Sequence, residues 1–477
     1  MSLKRTLLAI AATILLLLPV GRLLRDQNPW TCFPFTFDES YFAQAASQWS
    51  EGHGYRVAEG TPFDPSITVG IPMAWGASAL NGLTGYDIAT SGRLFVFLCF
   101  IGLILTLART VYKIDRNWFS VLATLGFFGY GLSKVSFGPY FAFGFLGEMP
   151  AFLLGALAYR ALDEKRFFRA GLLAVGVFVM QPTFLFFLPA VGIAALLHSG
   201  KAGLKAGVSI ATSLGLIVFG ITRARNQALG EYLSTFLSES TRIAHFSPKG
   251  TPLDHYGDFK NLAAVYSGAF LVFGAYTTAR ARKISPSQVA AFFLFLGAST
   301  YFFVLNQRPV EKQWSAIFSL TLLGFAVPWG TLVGNWFAGW TSRELTRAIV
   351  LAVVLGSTLS VAHDVLHKYK RTPETACPSK EQSAINKKVR TLSDSGELTR
   401  ENFGAWVDTH PHKMSIYRLP WTIQYQTSRR DLGAELPKWL YGETKNLLPL
   451  PSGCASVFQG ETFALLKCEK QGPVRRR

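Results

Sequence analysis

The sequence predicts an all-α domain that crosses a membrane many times, followed by a small α/β domain outside the membrane. Of its 477 residues, 49% are hydrophobic, only 16% are charged and 39 are phenylalanine. A soluble globular protein of this length rarely has such a composition. The apolar residues also form long blocks, such as 6–24, 289–305 and 314–333. Blocks of about 17–20 residues have the length that a helix needs to cross hydrocarbon.

The net charge of +18 is explained by the positions of the basic residues. The basic residues lie in short runs between apolar blocks, which indicates membrane topology and contact with lipids, not nucleic-acid binding. The sequence contains no zinc-binding spacing, Walker loop, dinucleotide fingerprint or internal repeat. Lys4 and Arg5 precede an apolar segment that no small-x-small cleavage site follows. We therefore expect a retained first helix that enters from the cytoplasm.

Whether residues 67–84 cross the membrane decides on which side of it every later loop lies. This apolar segment contains Pro72, Asn81 and several glycines, and we expect it to lie at the membrane surface. Five basic loops then fall on the cytoplasmic side, as the positive-inside rule requires. These loops begin near residues 109, 160, 201, 280 and 343.

This topology gives about eleven spans and places the C-terminus outside. The expected spans are 6–24, 90–109, 118–135, 149–161, 170–182, 184–198, 204–223, 260–279, 286–305, 314–335 and 346–363. The two spans that meet at Gln181 and Pro182 form either one broken helix or a hairpin whose tip enters the membrane from outside.

The composition changes near residue 364, which separates a membrane domain, 1–363, from an extramembrane domain, 364–477. Charged and turn-forming residues then dominate, and no further span follows. Residues 381–392 are typical of a helix, and the alternating segments 413–425 and 455–466 are typical of strands. These patterns predict a small α/β domain of normal size.

Three of the five cysteines, Cys377, Cys454 and Cys468, lie in this second domain. In an oxidising compartment two of them can pair. Their spacing does not choose the pair, and one thiol stays free unless it joins Cys32.

The most informative segment lies in the first outer loop, residues 25–89. It reads Phe37-Asp38-Glu39-Ser40-Tyr41-Phe42, then Ala45-Ala46, then Gly52-His53-Gly54-Tyr55. Two adjacent carboxylates beside a span are costly to keep near hydrocarbon, which favours a functional role. The alternative is structural: Asp38 caps a helix through Tyr41 to Trp49, and Glu39 lies in its first turn.

This order of motifs, followed by a Pro-containing surface helix, resembles the GT-C glycosyltransferases. The resemblance is to the bacterial branch that includes protein O-mannosyltransferases, aminoarabinose transferases of lipid A and Rgt-type lipopolysaccharide transferases, and it covers about the first 200 residues. It implies transfer of a sugar from a polyprenyl-phosphate carrier to a lipid, glycan or protein acceptor. It also implies a cell inner membrane location, with the C-terminal domain in the periplasm. Asp38 matches the catalytic carboxylate of the family, and Glu39 matches its second acid.

A second match follows in the next outer loop, at Phe145-Leu146-Gly147-Glu148. Glu148 corresponds to the acid that the family places between its third and fourth spans, and the two loops are expected to face each other across one outer cavity. The alternative is that Glu148 only caps the following helix. At Gln181 the sequence departs from the pattern of the family. Many relatives have a lysine at this position, which lies in a region that faces the donor.

These residues suit sugar transfer from a lipid phosphate. Asp38 is the expected general base, and His53 and Tyr55 are candidates for contact with the sugar. Cations must stabilise the leaving phosphate. The candidates are Arg308 and Lys312, ranked first, then Lys134 and Arg93, with Gln181 in the lysine position. For each cation the alternative is a side chain that contacts lipid headgroups.

Metal dependence stays open at this point, although a divalent cation bridging Asp38 and Glu148 would suit their hard oxygen ligands. Two other functions compete with glycosyl transfer. A transporter or flippase of a lipid-linked sugar would place ionisable residues near the membrane midplane, where this sequence has almost none. A catalytically degenerate binding or assembly protein of cell-envelope glycan synthesis is the other possibility, because of Gln181.

Overall fold

The computed structural model of the protein describes the following parts of the chain: residues 42–43, 46, 49–50, 71–86, 88–134, 144–225, 230, 284–301, 311–340, 380–399, 402–406, 425–426, 437–461 and 463–469. Several predicted features lie outside them, namely the spans 6–24, 260–279 and 346–363, most of the strand segment 413–425, and Asp38, Glu39, His53, Tyr55 and Arg308.

From residue 71 to 340 the described structure is helical. Its elements are α1 (Ile71–Thr84), α2 (Ile88–Asp115), α3 (Trp118–Lys134), α4 (Glu148–Asp163), α5 (Phe167–Met180), a 3-10 helix (Pro182–Phe186), α6 (Phe187–His198), α7 (Gly200–Arg225), α8 (Pro286–Ser299) and α9 (Glu311–Trp340). Each predicted span that falls on described residues overlaps one of these helices.

Three of the described helices are long and apolar enough to cross a membrane: Thr90–Asp115, Gly200–Gly220 and Gln313–Leu332. Shorter apolar helices accompany them, including Phe167–Met180 and Pro286–Ser299. The chain is therefore an integral membrane protein of mainly helical structure. Helix α1 covers the described part of the segment 67–84, and the location of this segment at the membrane surface stays a prediction.

The described residues form two compact units. The first contains α2 from Val96 onward and α3 to α9. The second contains residues 42–95, residues 144–146 and the C-terminal elements.

Small residues on α9 hold the first unit together. A Cβ atom at Gly330 or Gly334 would overlap Thr124 or Ser120 of α3, so only glycine permits this approach. Nearer the N-terminal end of α9, a Cβ atom at Gly324 would lie 2.5 Å from the Cβ of Ala291 in α8. Close packing through small residues is a common way for helices to associate in membranes, where the lipid gives no hydrophobic drive.

The start of α8 is fixed by polar contacts. Ser285 and Gln288 form a capping box, in which each side chain bonds to the backbone of the other. Asp163, the last residue of α4, accepts hydrogen bonds from the backbone N and the Oγ of Ser287 at 3.1 and 2.8 Å. A carboxylate at a helix N-terminus is favourably placed, so this contact joins α4 to α8.

Helices α5 and α6 form a hairpin. The rings of Phe167 and His198 lie 5.1 Å apart, so the start of α5 is beside the end of α6. The chain reverses through Gln181, which is extended with φ of −152°, and the 3-10 helix after it. The structure thus decides between the two arrangements that the sequence allowed, in favour of a hairpin over a broken helix.

In the second unit, the C-terminal residues form a mixed five-stranded sheet. The strands are β1 (Phe403–Trp406), β2 (Tyr425–Gln426), β3 (Trp439–Glu443), β4 (Cys454–Gln459) and β5 (Phe463–Cys468), in the order β2-β1-β3-β5-β4. Strand β1 runs parallel to β2 and β3, and β5 runs antiparallel to β3 and β4. A short helix α11 (Thr444–Leu447) follows β3.

Helix α10 (Lys380–Asp394) covers this sheet through one apolar face. Ile385, Val389 and Leu392 are buried in a core that includes Tyr441 and Leu465 of the sheet. The spacing of these three residues places them on one side of a helix. The helix predicted at 381–392 and the strands predicted within 455–466 are both confirmed.

A disulfide bond joins Cys454 to Cys468. These residues are direct partners in the register of β4 and β5. The structure thereby selects one of the pairs that the spacing left open, while Cys377 lies outside the described residues.

Candidate functional site

Glu148 is the first residue of α4, and its side chain is almost fully buried, with 1% exposed. The N-cap position belongs to Gly147, whose backbone is helical. Glu148 therefore lies in the first turn of this helix and not at its N-cap position. Its carboxylate lies in the first turn, where the helix dipole stabilises negative charge.

Glu148 is hydrogen-bonded to Gln181. The side-chain nitrogen Nε2 of Gln181 donates a hydrogen bond of 3.0 Å to Oε1 of Glu148. This contact joins two candidate residues that are 33 positions apart in the chain and that the sequence had assigned to different tasks.

Gly147 permits this contact. A Cβ atom at Gly147 would overlap the carbonyl oxygen of Met180, the last residue of α5. Because glycine has no side chain, the start of α4 packs directly on the end of α5. This packing brings Glu148 and Gln181 within hydrogen-bonding distance.

The backbone of Gln181 is held on both sides. Its N–H donates to the carbonyl oxygen of Val177 at 3.2 Å, and its own carbonyl oxygen accepts from the N–H of Phe184 at 3.1 Å. Pro182 follows and cannot continue helix α5, because it lacks an N–H and clashes with the preceding turn. Gln181 is thus fixed at the turn of the hairpin, with its side chain directed to Glu148.

In the second unit, Phe145 links the two predicted outer loops. Its ring centroid lies 6.1 Å from that of Phe42, which follows the Asp38-Glu39 pair by a few residues. On another side, a Cβ atom at Gly92 would lie 2.5 Å from the Phe145 ring. The two loops that were expected to face each other therefore meet at these two rings.

The segment after Asp38 is helical where it is described. Phe42, Ala43, Ala46, Trp49 and Ser50 have helical conformation. Ala43 and Ala46 are buried, and Trp49 packs against Trp75 of α1, with the ring centroids 6.0 Å apart. This agrees with the helix expected from Tyr41 to Trp49, while the capping role of Asp38 falls outside the described residues.

Of the predicted phosphate-binding cations, Arg93 has a described side chain. It lies near the start of α2 and is 1% exposed. It is therefore not a side chain that reaches lipid headgroups, and a guanidinium in such surroundings must be paired. Lys134 ends α3 and Lys312 begins α9, but their side chains, like Arg308, lie outside the described part.

Buried charge is concentrated at helix starts. Among the buried side chains in the described ranges, Arg93 and Glu148 are the two that carry charge, and each lies within two turns of the start of its helix.

The same ranges contain no group of three or more His, Cys, Asp or Glu side chains that could hold a metal ion. The bridging cation considered above involves Asp38, so it stays a hypothesis.

The pairing of Gln181 with Glu148 could not be found from the sequence, since no spacing relates residues on a loop and on a hairpin turn. The available signals were indirect. Gly147 stands before the acid, and Pro182 marks the end of α5 beside Gln181. Both show where helices end, but neither shows which ends meet.

No protein-family model and no curated protein matches this sequence. Solved structures of similar fold include two of the protein ArnT. A crystal structure of ArnT from Cupriavidus metallidurans bound to undecaprenyl phosphate superposes with a TM-score of 0.62 at 11% identity, covering 97% of each chain. The apo structure of the same protein gives a TM-score of 0.57 at 13% identity, again over 97% of each chain. The resemblance seen in the first 200 residues thus extends, as a fold, over almost the whole chain: this protein has the fold of ArnT.

Proposed function

We propose that the protein is a membrane glycosyltransferase of GT-C type that uses a polyprenyl-phosphate-linked sugar as donor. The acceptor is a lipid, glycan or protein at the periplasmic face of the cell inner membrane. The observation that carries the proposal is the similarity in fold, over 97% of the chain, to an ArnT structure that binds undecaprenyl phosphate. The acidic motifs of the two outer loops give the independent chemical support.

The proposed reaction needs little more than a base and positive charge. The acceptor hydroxyl oxygen attacks the anomeric carbon of the sugar, and the bond from that carbon to the phosphate oxygen breaks with inversion. Polyprenyl phosphate leaves, and the hydroxyl proton passes to Asp38. Arg308 and Lys312, with Lys134 and Arg93 ranked after them, are the proposed cations that stabilise the leaving phosphate.

The remaining site residues have supporting roles in this proposal. Glu39 and Glu148 support the base, and His53 and Tyr55 contact the sugar. Buried carboxylates suit such roles, because in a site that excludes water their interactions are strong. The burial of Glu148 supports its assignment.

The location of the C-terminal domain, 364–477, has separate support. A disulfide such as Cys454–Cys468 is typical of proteins in oxidising compartments, including the bacterial periplasm. This agrees with the odd number of spans predicted from the charges. In our proposal the domain helps to dock the acceptor.

The proposal is tested by transfer assays with substituted proteins. Radiolabelled sugars on synthetic polyprenyl phosphates are supplied to membranes that contain wild type, Asp38→Asn or Glu148→Gln. We expect Asp38→Asn to lower the rate by a factor of about 10²–10⁴, the range typical of a general base. Glu148→Gln should lower it about tenfold or more, with insertion and folding unchanged in both.

Glu164→Gln supplies a matched control. Glu164 follows the same helix as Glu148 but is 35% exposed and pairs with Arg160 at 2.7 Å. The hydrogen bond from Arg160 lowers the pKa of Glu164, so Glu164 is charged at neutral pH. Its substitution should leave transfer unchanged. Cellular function that survives loss of both Asp38 and Glu148 would instead favour a binding or assembly protein.

A further inference from the structure

We propose that Gln181 is a positioning residue, which orients the buried carboxylate of Glu148 for sugar transfer. This inference rests on the proposed function. It assigns to Gln181 a role that acts through another side chain, in place of the direct contact with the donor phosphate that its position in the sequence suggested.

The backbone of Gln181 has a fixed position at the hairpin turn. Backbone hydrogen bonds to Val177 and from Phe184 hold it on both sides, and Pro182 limits the backbone further. From this position its side-chain amide donates a hydrogen bond of 3.0 Å to Oε1 of Glu148. A hydrogen bond to a buried carboxylate favours the side-chain orientation that keeps the bond.

The acceptor Glu148 has flexible side-chain torsions, but its side chain is only 1% exposed. Gly147, the residue before it, packs on Met180 with no room for a side chain. The helix N-terminus favours a carboxylate here, but a helix dipole does not fix the direction of a carboxylate. The hydrogen bond from the amide of Gln181 has a defined direction.

The amide of Gln181 is neutral. An ammonium group here would form an ion pair with Glu148, whereas an amide donates a hydrogen bond and adds no charge. The glutamine therefore orients Glu148 without placing a positive charge beside it. This explains why a neutral residue at this position is compatible with an active enzyme.

The test is a double-mutant cycle on transfer kinetics, with wild type, Gln181→Met, Glu148→Gln and the double variant. Methionine keeps the length and volume of glutamine but cannot donate. We expect Gln181→Met to lower kcat by about tenfold to a hundredfold, the usual effect of losing a hydrogen bond to a charged group, with KM changed less than about twofold. In the Glu148→Gln background the same substitution should have almost no further effect on kcat, because the carboxylate that Gln181 orients is gone.

Gln288→Met is the matched control. It removes an amide from the capping box of α8, so it should lower thermal stability while leaving the kcat of folded protein unchanged. If Gln181→Met behaves in this way, Gln181 is merely structural and the proposal is overturned.

The outcomes separate the two proposals. If wild type transfers sugar, Asp38→Asn does not, and the effects of Gln181→Met and Glu148→Gln on kcat multiply independently, the enzyme stands and the positioning role fails. A loss confined to KM would also overturn the positioning role, since it would indicate direct substrate binding by Gln181. If wild type transfers no sugar from any donor, the proposed function fails, and the positioning role fails with it.

Discussion

At the scale of single residues, the absence of a side chain at Gly147 decides the geometry of the candidate site. The start of α4 meets the end of α5 at the carbonyl oxygen of Met180, with no space for a Cβ atom. The same approach sets the distance between Glu148 and Gln181. One methyl group here would act on both the packing and the hydrogen bond.

We expect Gly147→Ala to lower the free energy of unfolding by about 1–3 kcal/mol, the usual cost of overpacking. It should also reduce transfer activity, because Glu148 moves away from Gln181. Thermal unfolding in detergent and transfer assays measure the two effects. The control is Gly192→Ala in α6, where nothing lies within 4 Å of the new atom. Equal stability and activity in the two variants would contradict this role of Gly147.

Individual site residues could be predicted from the sequence only in part. Glu148 stands out, because an acid beside apolar spans is rare and costly. Gln181 stands out only as a neutral residue where relatives have a cation. Their contact depends on which helix ends meet in space, which hydropathy and spacing do not encode.

At the scale of elements, the packing of α9 on α3 carries much of the stability of the first unit. Gly330 and Gly334 of α9 face Thr124 and Ser120 of α3. Asn117 adds a hydrogen bond from Nδ2 to the carbonyl oxygen of Gly334 at 3.2 Å. Removing a small residue from this contact must separate the helices, since backbone lies directly opposite.

We expect Gly330→Ala to destabilise the protein by about 1–3 kcal/mol. Gly126→Ala in α3 is the control, because a Cβ there meets nothing within 4 Å and alanine has the higher helix propensity by about 1 kcal/mol. The melting temperatures of both variants in detergent give the comparison. If Gly330→Ala melts at or above the temperature of Gly126→Ala, the close packing described for α9 and α3 is not essential.

The helices themselves were largely predictable, because long apolar blocks fix both their type and their approximate ends. The hairpin of α5 and α6 was not. Pro182 predicts that a helix ends, but the direction of the following helix depends on the extended backbone of Gln181 and on the contact of Phe167 with His198. Both are tertiary features.

At the scale of the whole molecule, the proposed topology places the basic loops in the cytoplasm and the C-terminal domain outside. The disulfide Cys454–Cys468 lies in that domain, as a location in an oxidising compartment would favour. The sequence predicted this arrangement from charge, but it could not choose the cysteine pair. That choice depends on the register of β4 and β5.

Labelling with a membrane-impermeant thiol reagent tests this topology. Single cysteines are introduced as Lys388→Cys on α10 and Lys165→Cys in the loop after α4, both at exposed positions, with Cys32, Cys99 and Cys377 replaced by serine. We expect the reagent to label the first variant in intact spheroplasts and the second only after the membrane is permeabilised. The reverse pattern would place the C-terminal domain in the cytoplasm.

The most direct test of the central claim measures sugar transfer and carrier release in one reaction. Purified protein in liposomes receives a doubly labelled polyprenyl-phosphate sugar and native acceptors. We predict that wild type releases one polyprenyl phosphate for each sugar transferred, and that Asp38→Asn does neither. Movement of intact donor across the bilayer without release, or release that does not depend on Asp38, would contradict the account.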